Sequence, residues 1–205
     1  IHFFPAENHL FYFRWGFYYQ PPYYYEITAR GRNSDQKNSA QRAIHYILGW
    51  EHQLKPTLDL QVEIYYKKLD QLIPYYIDDL QLIYQGTNTN EGYARGLDIL
   101  IKGEIIEGLN SWIGYSYLDT KERPINGGDY RRRLLDQTHT LRFFVQDKVP
   151  KFPFLQFHTR ILYGSGYRYY PRRVVENPVT NESSIQIDFS RTVNSPYYGR
   201  VDMGL

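Results

Sequence analysis

Tyrosine and arginine side chains are clustered between the segments that we predict to be strands, and they are the groups best suited to bind a ligand. Phenol rings stack on sugars and on aromatic groups, whereas guanidinium groups pair with carboxylates and phosphates. The sequence therefore predicts a recognition surface in these connecting segments. The residues concerned are Tyr23, Tyr24, Tyr25, Tyr75, Tyr76, Arg131, Arg132, Arg133, Tyr167, Arg168, Tyr169 and Tyr170.

Catalytic and metal-binding patterns are not found in the sequence. None of the six histidines forms a His-x-His or a His-Glu-x-x-His spacing, which are common arrangements of metal ligands. The chain has no cysteine, so disulfide bonds and thiolate metal sites are excluded. We therefore expect a protein that is not an enzyme and that needs neither a metal nor another cofactor.

The overall composition narrows the class of protein. The 205 residues carry 24 Lys and Arg against 22 Asp and Glu, and this near balance argues against a nucleic-acid partner. Aromatic residues make up 18% of the chain, and 22 of them are tyrosines. Tyrosine favours strands over helices and is common where an apolar environment meets water. No run of about 18 apolar residues occurs, so we expect no transmembrane helix.

A strict alternation of side chains predicts the elements that position these groups. In residues 58–67 the even positions read Leu, Leu, Val, Ile and Tyr, and the odd positions read Asp, Gln, Glu, Tyr and Lys. A period of two is typical of a strand with one apolar and one polar face. We therefore expect an all-β fold, an antiparallel meander of about eight to nine long strands. The alternating segments are 11–20, 44–53, 58–67, 94–102, 111–117, 138–146, 155–163 and 200–205.

Charged side chains mark the polar face of these strands. Acidic residues prevail on the earlier strands and arginines on the later ones. Cross-strand ion pairs between them would hold the strands together. The residues assigned to this face are Arg14, Glu51, Asp59, Glu63, Asp98, Arg142, Arg160 and Arg200.

The links between the predicted strands alternate in length. Short links at 54–57, 104–110 and 147–153 alternate with long links at 21–39, 71–92, 119–136 and 164–199. In an antiparallel meander this places all long links at one end, as in a transmembrane β-barrel with short periplasmic turns and long external loops. Aromatic residues near the strand ends, such as Trp15 and Trp50, are typical of the girdles at membrane interfaces. A soluble, Tyr-rich β-sandwich that binds carbohydrate is the alternative that alternation alone leaves open.

Seven short motifs, in order along nearly the whole chain, resemble the barrel of TonB-dependent outer-membrane receptors. Each motif is weak by itself, but the series is fairly specific. The motifs are 13–22 (FRWGFYYQPP), 45–51 (HYILGWE), 63–69 (EIYYKKL), 91–98 (EGYARGLD), 111–117 (SWIGYSY), 136–141 (DQTHTL), and 163–166 (YGSG) with 171–172 (PR).

The resemblance implies a location and a function. Members of this family lie in the Gram-negative outer membrane and take up a bulky, scarce nutrient of the siderophore, cobalamin or oligosaccharide class. Energy comes from the TonB complex through a plug domain of the same full-length chain. The resemblance also implies that the polar-face charges contact this plug, in addition to or instead of pairing with one another.

The extent of the resemblance leads to a further expectation. We expect residues 1–205 to be an internal fragment of the C-terminal half of a receptor barrel, without the plug domain and the terminal strands. The apolar face would meet outer-membrane lipid, and interface tyrosines and basic loops would also suit membrane anchoring and contact with lipopolysaccharide. A passive or structural outer-membrane barrel without TonB coupling is the second alternative.

Overall fold

The computed structural model describes residues 1–28, 38–78, 81–106, 108–134, 136–149, 152–176, 183–188 and 191–205, and these residues are almost entirely in strands. The only helix in these ranges is the single turn α1 (Tyr24–Ile27). The strands are β1 (His2–Ala6), β2 (His9–Gln20), β3 (Gln41–Lys55), β4 (Leu58–Leu72), β5 (Tyr75–Asp78), β6 (Gln81–Tyr84), β7 (Asn90–Ile106), β8 (Leu109–Pro124), β9 (Arg131–Arg132), β10 (His139–Val149), β11 (Phe152–Gly164), β12 (Arg168–Tyr169), β13 (Arg172–Glu176), β14 (Ser183–Ile187), β15 (Val193–Asn194) and β16 (Tyr198–Gly204).

Nine of these strands form one antiparallel sheet in which each strand pairs with the next main strand along the chain. The order is β1-β2-β3-β4-β7-β8-β10-β11-β16, and β9 adds a short pairing to β8. The all-β meander that the alternation predicts is therefore confirmed. The two packed sheets of a β-sandwich are not present among the described residues, where the other pairings are two-stranded.

The central strands are longer than the sequence pattern predicts. β8 continues to Pro124, seven residues past the end of the alternating segment at 117, because it stays paired with β7 up to the pair Asn90–Pro124. At 15 to 17 residues, β3, β4, β7 and β8 exceed the roughly 9–11 residues that cross a bilayer at barrel tilt. In β4 and β8 most of the length beyond the predicted segments lies at the end of the sheet that carries the long links.

The two faces of the sheet are chemically different, as the alternation requires. Phe13, Leu48, Ile64 and Leu97 occupy successive strands in direct register and form a continuous apolar row. Leu48 and Ile64 are 56% and 58% exposed, so nothing in the described chain covers this face.

The opposite face carries a polar network centred on Glu63. The Tyr12 hydroxyl donates a hydrogen bond to the Glu63 carboxylate, and the Gln61 amide donates to the Tyr12 oxygen at 3.0 Å. Arg14 lies 3.4 Å from Glu63, which joins β2 to β4 across β3. Tyr12 is only 2% exposed, so this network is a packed part of the wall.

Two tyrosine rings on the polar face lie over glycines of the next strand. Tyr12 covers Gly49 of β3, and Tyr65 covers Gly96 of β7, each directly opposite in register. A side chain on either glycine would collide with the ring that covers it. Glycine is therefore needed at these positions for the close approach of a neighbouring side chain rather than for backbone flexibility.

This arrangement predicts a selective effect of adding one methyl group. Gly49→Ala in the full-length protein is expected to lower the free energy of unfolding by about 1–3 kcal/mol, the usual cost of overpacking. Gly114→Ala is the matched control, because a Cβ there meets only ordinary contacts at 3.8 Å or more. Urea unfolding of the folded barrel in detergent measures both values. Equal losses for the two variants would contradict the role given to Tyr12.

The links at one end of the sheet fold into structures of their own. β5 pairs with β6, β13 with β14, and β12 with β15, so the long links contain small hairpins that alternation did not predict. Leu72, Ile73 and Leu134, at the ends of these links, are buried. In the described part of the chain, no helical segment has the length and apolar character needed to cross a membrane.

Candidate ligand-binding site

Two cavities lie side by side among the long links. Cavity A has a volume of about 500 Å³, and cavity B has a volume of about 490 Å³. Both are within the range of small-molecule sites. Seven of the twelve tyrosine and arginine residues proposed from the sequence line them, namely Tyr23, Tyr75, Tyr76, Arg131, Arg132, Arg133 and Tyr170.

Cavity A is bounded by the β5 strand and by the segment that leads from β8 to β9. Its rings are Tyr75, Tyr76 and Tyr170, and its cations include Arg131 and Arg132. The carboxylates of Glu122 and Asp129 and the guanidinium of Arg123 also line it. Aromatic faces and mixed charges therefore converge on one space, as a polar ligand with rings or sugars would require.

Cavity B lies between the β5–β6 hairpin and those ends of β2, β3 and β4 that lead into the long links. Besides Tyr23 and Arg133 it contains Tyr18 and His45, whose rings stack 4.0 Å apart. Sequence reasoning missed His45 as a lining residue, because alternation assigned it only to the polar face of its strand. The structure places His45 in the wall of the cavity, with its ring stacked on that of Tyr18 of β2.

Tyr75 is shared by the two cavities and fixes their common wall. Its hydroxyl donates a hydrogen bond to the Leu134 carbonyl at 2.9 Å, and its ring lies 5.7 Å from that of Tyr84. Burial raises the pKa of the Tyr75 phenol, so the group stays protonated and keeps donating at neutral pH. The hairpin β5–β6 is thereby tied to the link between β9 and β10.

The three consecutive arginines proposed from the sequence make different contacts. Arg133 donates to Glu122 at 2.9 Å, and Arg132 lies 3.8 Å from Asp136. Arg131 is exposed and forms no ion pair with any residue that the structure describes. Arg132 and Arg133 therefore brace the link, whereas Arg131 is the cation available to a ligand in cavity A.

Asp136 is the most deeply buried charged group near the three arginines. Its side chain is fully buried, and Arg132 lies 3.8 Å from one of its carboxylate oxygens. Burial raises its pKa, while nearby Arg132 opposes that shift. Across the described ranges, no three His, Asp or Glu side chains are grouped so that they could hold a metal ion.

Comparison with models of protein families identifies the family of this chain. The family model described as "TonB dependent receptor-like, beta-barrel" matches residues 2–205. This chain belongs to that family. The resemblance proposed from the seven motifs is confirmed.

Solved structures of a TonB-dependent receptor share the fold of this chain. FpvA of P. aeruginosa, in a complex with heterologous pyoverdines, aligns with a TM-score of 0.60 at 12% identity. The FpvAI complex with pyocin S2 gives the same values. Each alignment covers 98% of this chain and 25% of the other, so the chain spans about a quarter of those receptors' length. No curated protein matches the sequence.

Five of the twelve proposed ligand-binding residues of this receptor barrel lie outside both cavities. Tyr24 and Tyr25 are 72% and 74% exposed on α1, which is fixed to β3 by a hydrogen bond from Gln41 to the buried Glu26 at 2.9 Å. The other three are on or next to the short strand β12, namely Tyr167, Arg168 and Tyr169.

The charged residues proposed for the polar face of the barrel are mostly not paired with one another. Arg14 and Glu63 form the one cross-strand ion pair within this set, and Arg200 pairs with Asp202 of its own strand at 2.7 Å. The other five have no ion pair with a described residue, namely Glu51, Asp59, Asp98, Arg142 and Arg160. Cross-strand pairing therefore accounts for only a small part of the charge pattern.

Proposed function

We propose that this chain supplies wall and external loops to a Gram-negative outer-membrane receptor that takes up a bulky, scarce nutrient. In this proposal the apolar face contacts outer-membrane lipid, and the long links face the exterior, where they also meet lipopolysaccharide. Energy for uptake comes from the TonB complex through a plug domain of the full-length chain. The nutrient is of the siderophore, cobalamin or oligosaccharide class.

The observation that supports this proposal most strongly is the pair of cavities beneath the long links. Each cavity, at about 500 or 490 Å³, has room for a ligand larger than a simple ion. Tyr75 and its neighbouring rings offer stacking surfaces, and Arg131 offers a free guanidinium for an anionic group. The family membership supports uptake as the function that such a site would serve.

Unpaired charges on the polar face support the second part of the proposal. Glu51, Asp59 and Asp98 on β3, β4 and β7 face the space that a barrel encloses, and so do Arg142 and Arg160 on β10 and β11. A plug domain inside the barrel would give these groups the partners that the wall itself does not provide.

Uptake assays test the proposal directly. Cells that express the full-length receptor are expected to accumulate a ferric siderophore, cobalamin or a labelled oligosaccharide, and only when TonB is present and energised. Unchanged uptake in cells without TonB would support the passive barrel instead. Failure to accumulate any of the three classes would contradict the nutrient assignment.

Arg131 provides a sharper test of the ligand site. Arg131→Ser is expected to weaken binding of an anionic ligand about two- to fivefold at low salt, the usual size of an exposed charge contact. The difference should shrink at high salt, because screening shortens the reach of the charge. Binding to the purified full-length receptor is measured by calorimetry at both salt concentrations.

The matched control for Arg131 is an exposed lysine at the other end of the sheet. Lys55→Ser removes the same charge at the end of β3, far from both cavities, and should leave affinity unchanged. Heat-modifiable migration on gels should be normal for both variants. Equal affinity of the wild-type and Arg131→Ser proteins at low salt would exclude the contact.

A further inference from the structure

The link between β9 and β10 carries a carboxylate that is entirely enclosed by the chain. The side chain of Asp136 has no solvent exposure, and the Nη1 atom of Arg132 lies 3.8 Å from its Oδ2 atom. An ionised carboxylate in such surroundings is costly unless a cation or hydrogen-bond donors compensate its charge. Because residues of this chain already enclose the carboxylate, another domain of the full-length protein cannot contact it without displacing them.

Backbone hydrogen bonds fix this link against the end of β8. The Arg133 amide donates to the Thr120 carbonyl at 3.1 Å, and the Leu118 amide donates to the Thr138 carbonyl at 2.9 Å. Asp136 lies between these two anchored points. Its enclosure is therefore a property of the paired strand ends and not of a free loop.

Arg132 connects the buried carboxylate to cavity A. The side chain of Arg132 is 33% exposed and lines the cavity, whereas its Nη1 atom lies next to Asp136 and donates a hydrogen bond to the Thr138 hydroxyl at 3.4 Å. A carboxylate beside a guanidinium partly cancels its charge as seen by a third group. Arg132 therefore attracts an anion less strongly while Asp136 is ionised.

The other charged groups that face Asp136 belong to neighbouring strands. Burial is the main cause that raises the pKa of Asp136; Asp119 of β8 raises it further, whereas Arg132 and Arg168 of β12 oppose the rise. Asp119 is itself paired with Arg95 of β7 at 3.0 Å. Arg95 and Arg132 thus balance the charges of Asp119 and Asp136, and a proton on Asp136 leaves this group with one uncompensated positive charge.

We infer that Asp136 is a positioning residue for Arg132 and makes the charge of cavity A depend on pH. While Asp136 is ionised, it holds the guanidinium and compensates its charge. When Asp136 is protonated, this compensation is lost and Arg132 attracts an anionic ligand more strongly. The inference rests on the proposed function in one respect, since cavity A must accept an anionic ligand, and it adds a preference for anions that increases as the pH falls.

Binding of a small anion at two pH values tests this coupling. The purified full-length receptor in detergent is titrated by calorimetry with 4-nitrobenzoate, and with uncharged 4-nitrobenzamide as the control compound. From about pH 7 to about pH 5, where an ordinary aspartate stays ionised, we expect the affinity for 4-nitrobenzoate to rise. The expected increase is about two- to fivefold, the usual size of an exposed charge contact. The amide should bind equally at both pH values.

Variants assign this response to the pair of residues. Asp136→Asn carries no charge, so it should bind 4-nitrobenzoate more tightly than the wild type at about pH 7 and equally at about pH 5. In an Arg132→Gln background, Asp136→Asn should have no further effect. Asp147→Asn, the same chemical change at the short-link end of β10, should behave as the wild type does. Titrating histidines contribute alike to all these proteins, so the differences between them isolate Asp136.

Infrared difference spectra follow the titration of Asp136 without any ligand. A protonated carboxylic acid has a C=O stretching band that an ionised carboxylate lacks. The wild type should gain this band on acidification from about pH 7 to about pH 5, and the contribution of Asp136 should be missing in Asp136→Asn. Arg132→Gln should move the appearance of the band to higher pH, because Arg132 stabilises the ionised form.

Each other outcome has a definite meaning. An unchanged band in Asp136→Asn of normal heat-modifiable migration, or the same pH dependence of affinity in this variant and the wild type, would overturn the inference. Absence of 4-nitrobenzoate binding to the wild type at both pH values would overturn it as well. If Asp136→Asn does not fold, the spectra of Arg132→Gln decide, and an unshifted band counts against the pair. If the coupling is observed but uptake is independent of TonB, the proposed function fails while the role of Asp136 stands.

Discussion

Residues 1–205 expressed by themselves are expected to form inclusion bodies and to give no folded species in detergent. The sheet is open in the described structure, with β1 at one edge and β16 at the other. β1 covers only the first part of β2, because its pairing extends no further than the contact of Ile1 with Phe13. Backbone groups along these edges have no partner in lipid, at a cost of several kcal/mol for each unsatisfied group.

The apolar face of the sheet also favours aggregation of residues 1–205 in water. Leu48, Ile64 and Val201 are 56%, 58% and 60% exposed, and they belong to a face that extends over the whole sheet. Such a patch is far larger than monomeric soluble proteins expose. Refolding from urea into detergent should therefore give no cooperative, protease-resistant band and no ion conductance. A monodisperse monomer with a cooperative thermal transition in the absence of detergent would contradict the membrane assignment.

The faces of the wall could be predicted from sequence because they depend only on alternation. Ile64 and Glu63 are neighbours in the chain, yet one is 58% exposed on the apolar face and the other accepts a hydrogen bond from Tyr12 on the polar face. No knowledge of strand partners was needed to separate them. The order of the strands could also be predicted from the sequence, because strands that follow one another in the chain usually pair as antiparallel neighbours.

The ends of the strands could not be predicted in the same way. β8 continues from residue 118 to Pro124 through Asp119, Thr120 and Lys121, where polar side chains occupy both faces. At the long-link ends of the strands, beyond the apolar band, both faces carry polar side chains. The alternation of apolar and polar residues that predicts a strand is therefore lost, although the backbone pairing continues. The hairpin of β5 and β6 was not expected either, because its two four-residue strands, YYID and QLIY, do not alternate between apolar and polar side chains.

The roles of individual site residues depend on contacts between distant parts of the chain. Arg131, Arg132 and Arg133 look equivalent in sequence, but Glu122 engages Arg133 and Asp136 lies next to Arg132. These contacts follow from the pairing of β9 with the end of β8, which the pattern did not predict.

Ile64→Arg in the full-length receptor is expected to reduce the free energy of unfolding in lipid vesicles by about 2–4 kcal/mol. Ile64 is the seventh of 15 residues of β4, and its neighbours in register are Leu48 and Leu97. An arginine there places a charge near the middle of the apolar band, where lipid cannot solvate it, and costs near the bilayer midplane are of this size. Loss of the heat-modifiable band and a lower urea midpoint are the measurements.

Glu63→Gln is the matched control, one residue away on the opposite face. The glutamine oxygen can still accept the hydrogen bond from Tyr12, and only the ion pair of Glu63 with the exposed Arg14 is lost, which is worth at most about 1 kcal/mol. The barrel should therefore insert normally. If Ile64→Arg inserted like the wild type while Glu63→Gln failed, the strand would be shifted by one residue, because such a slip exchanges the two faces along the whole of β4.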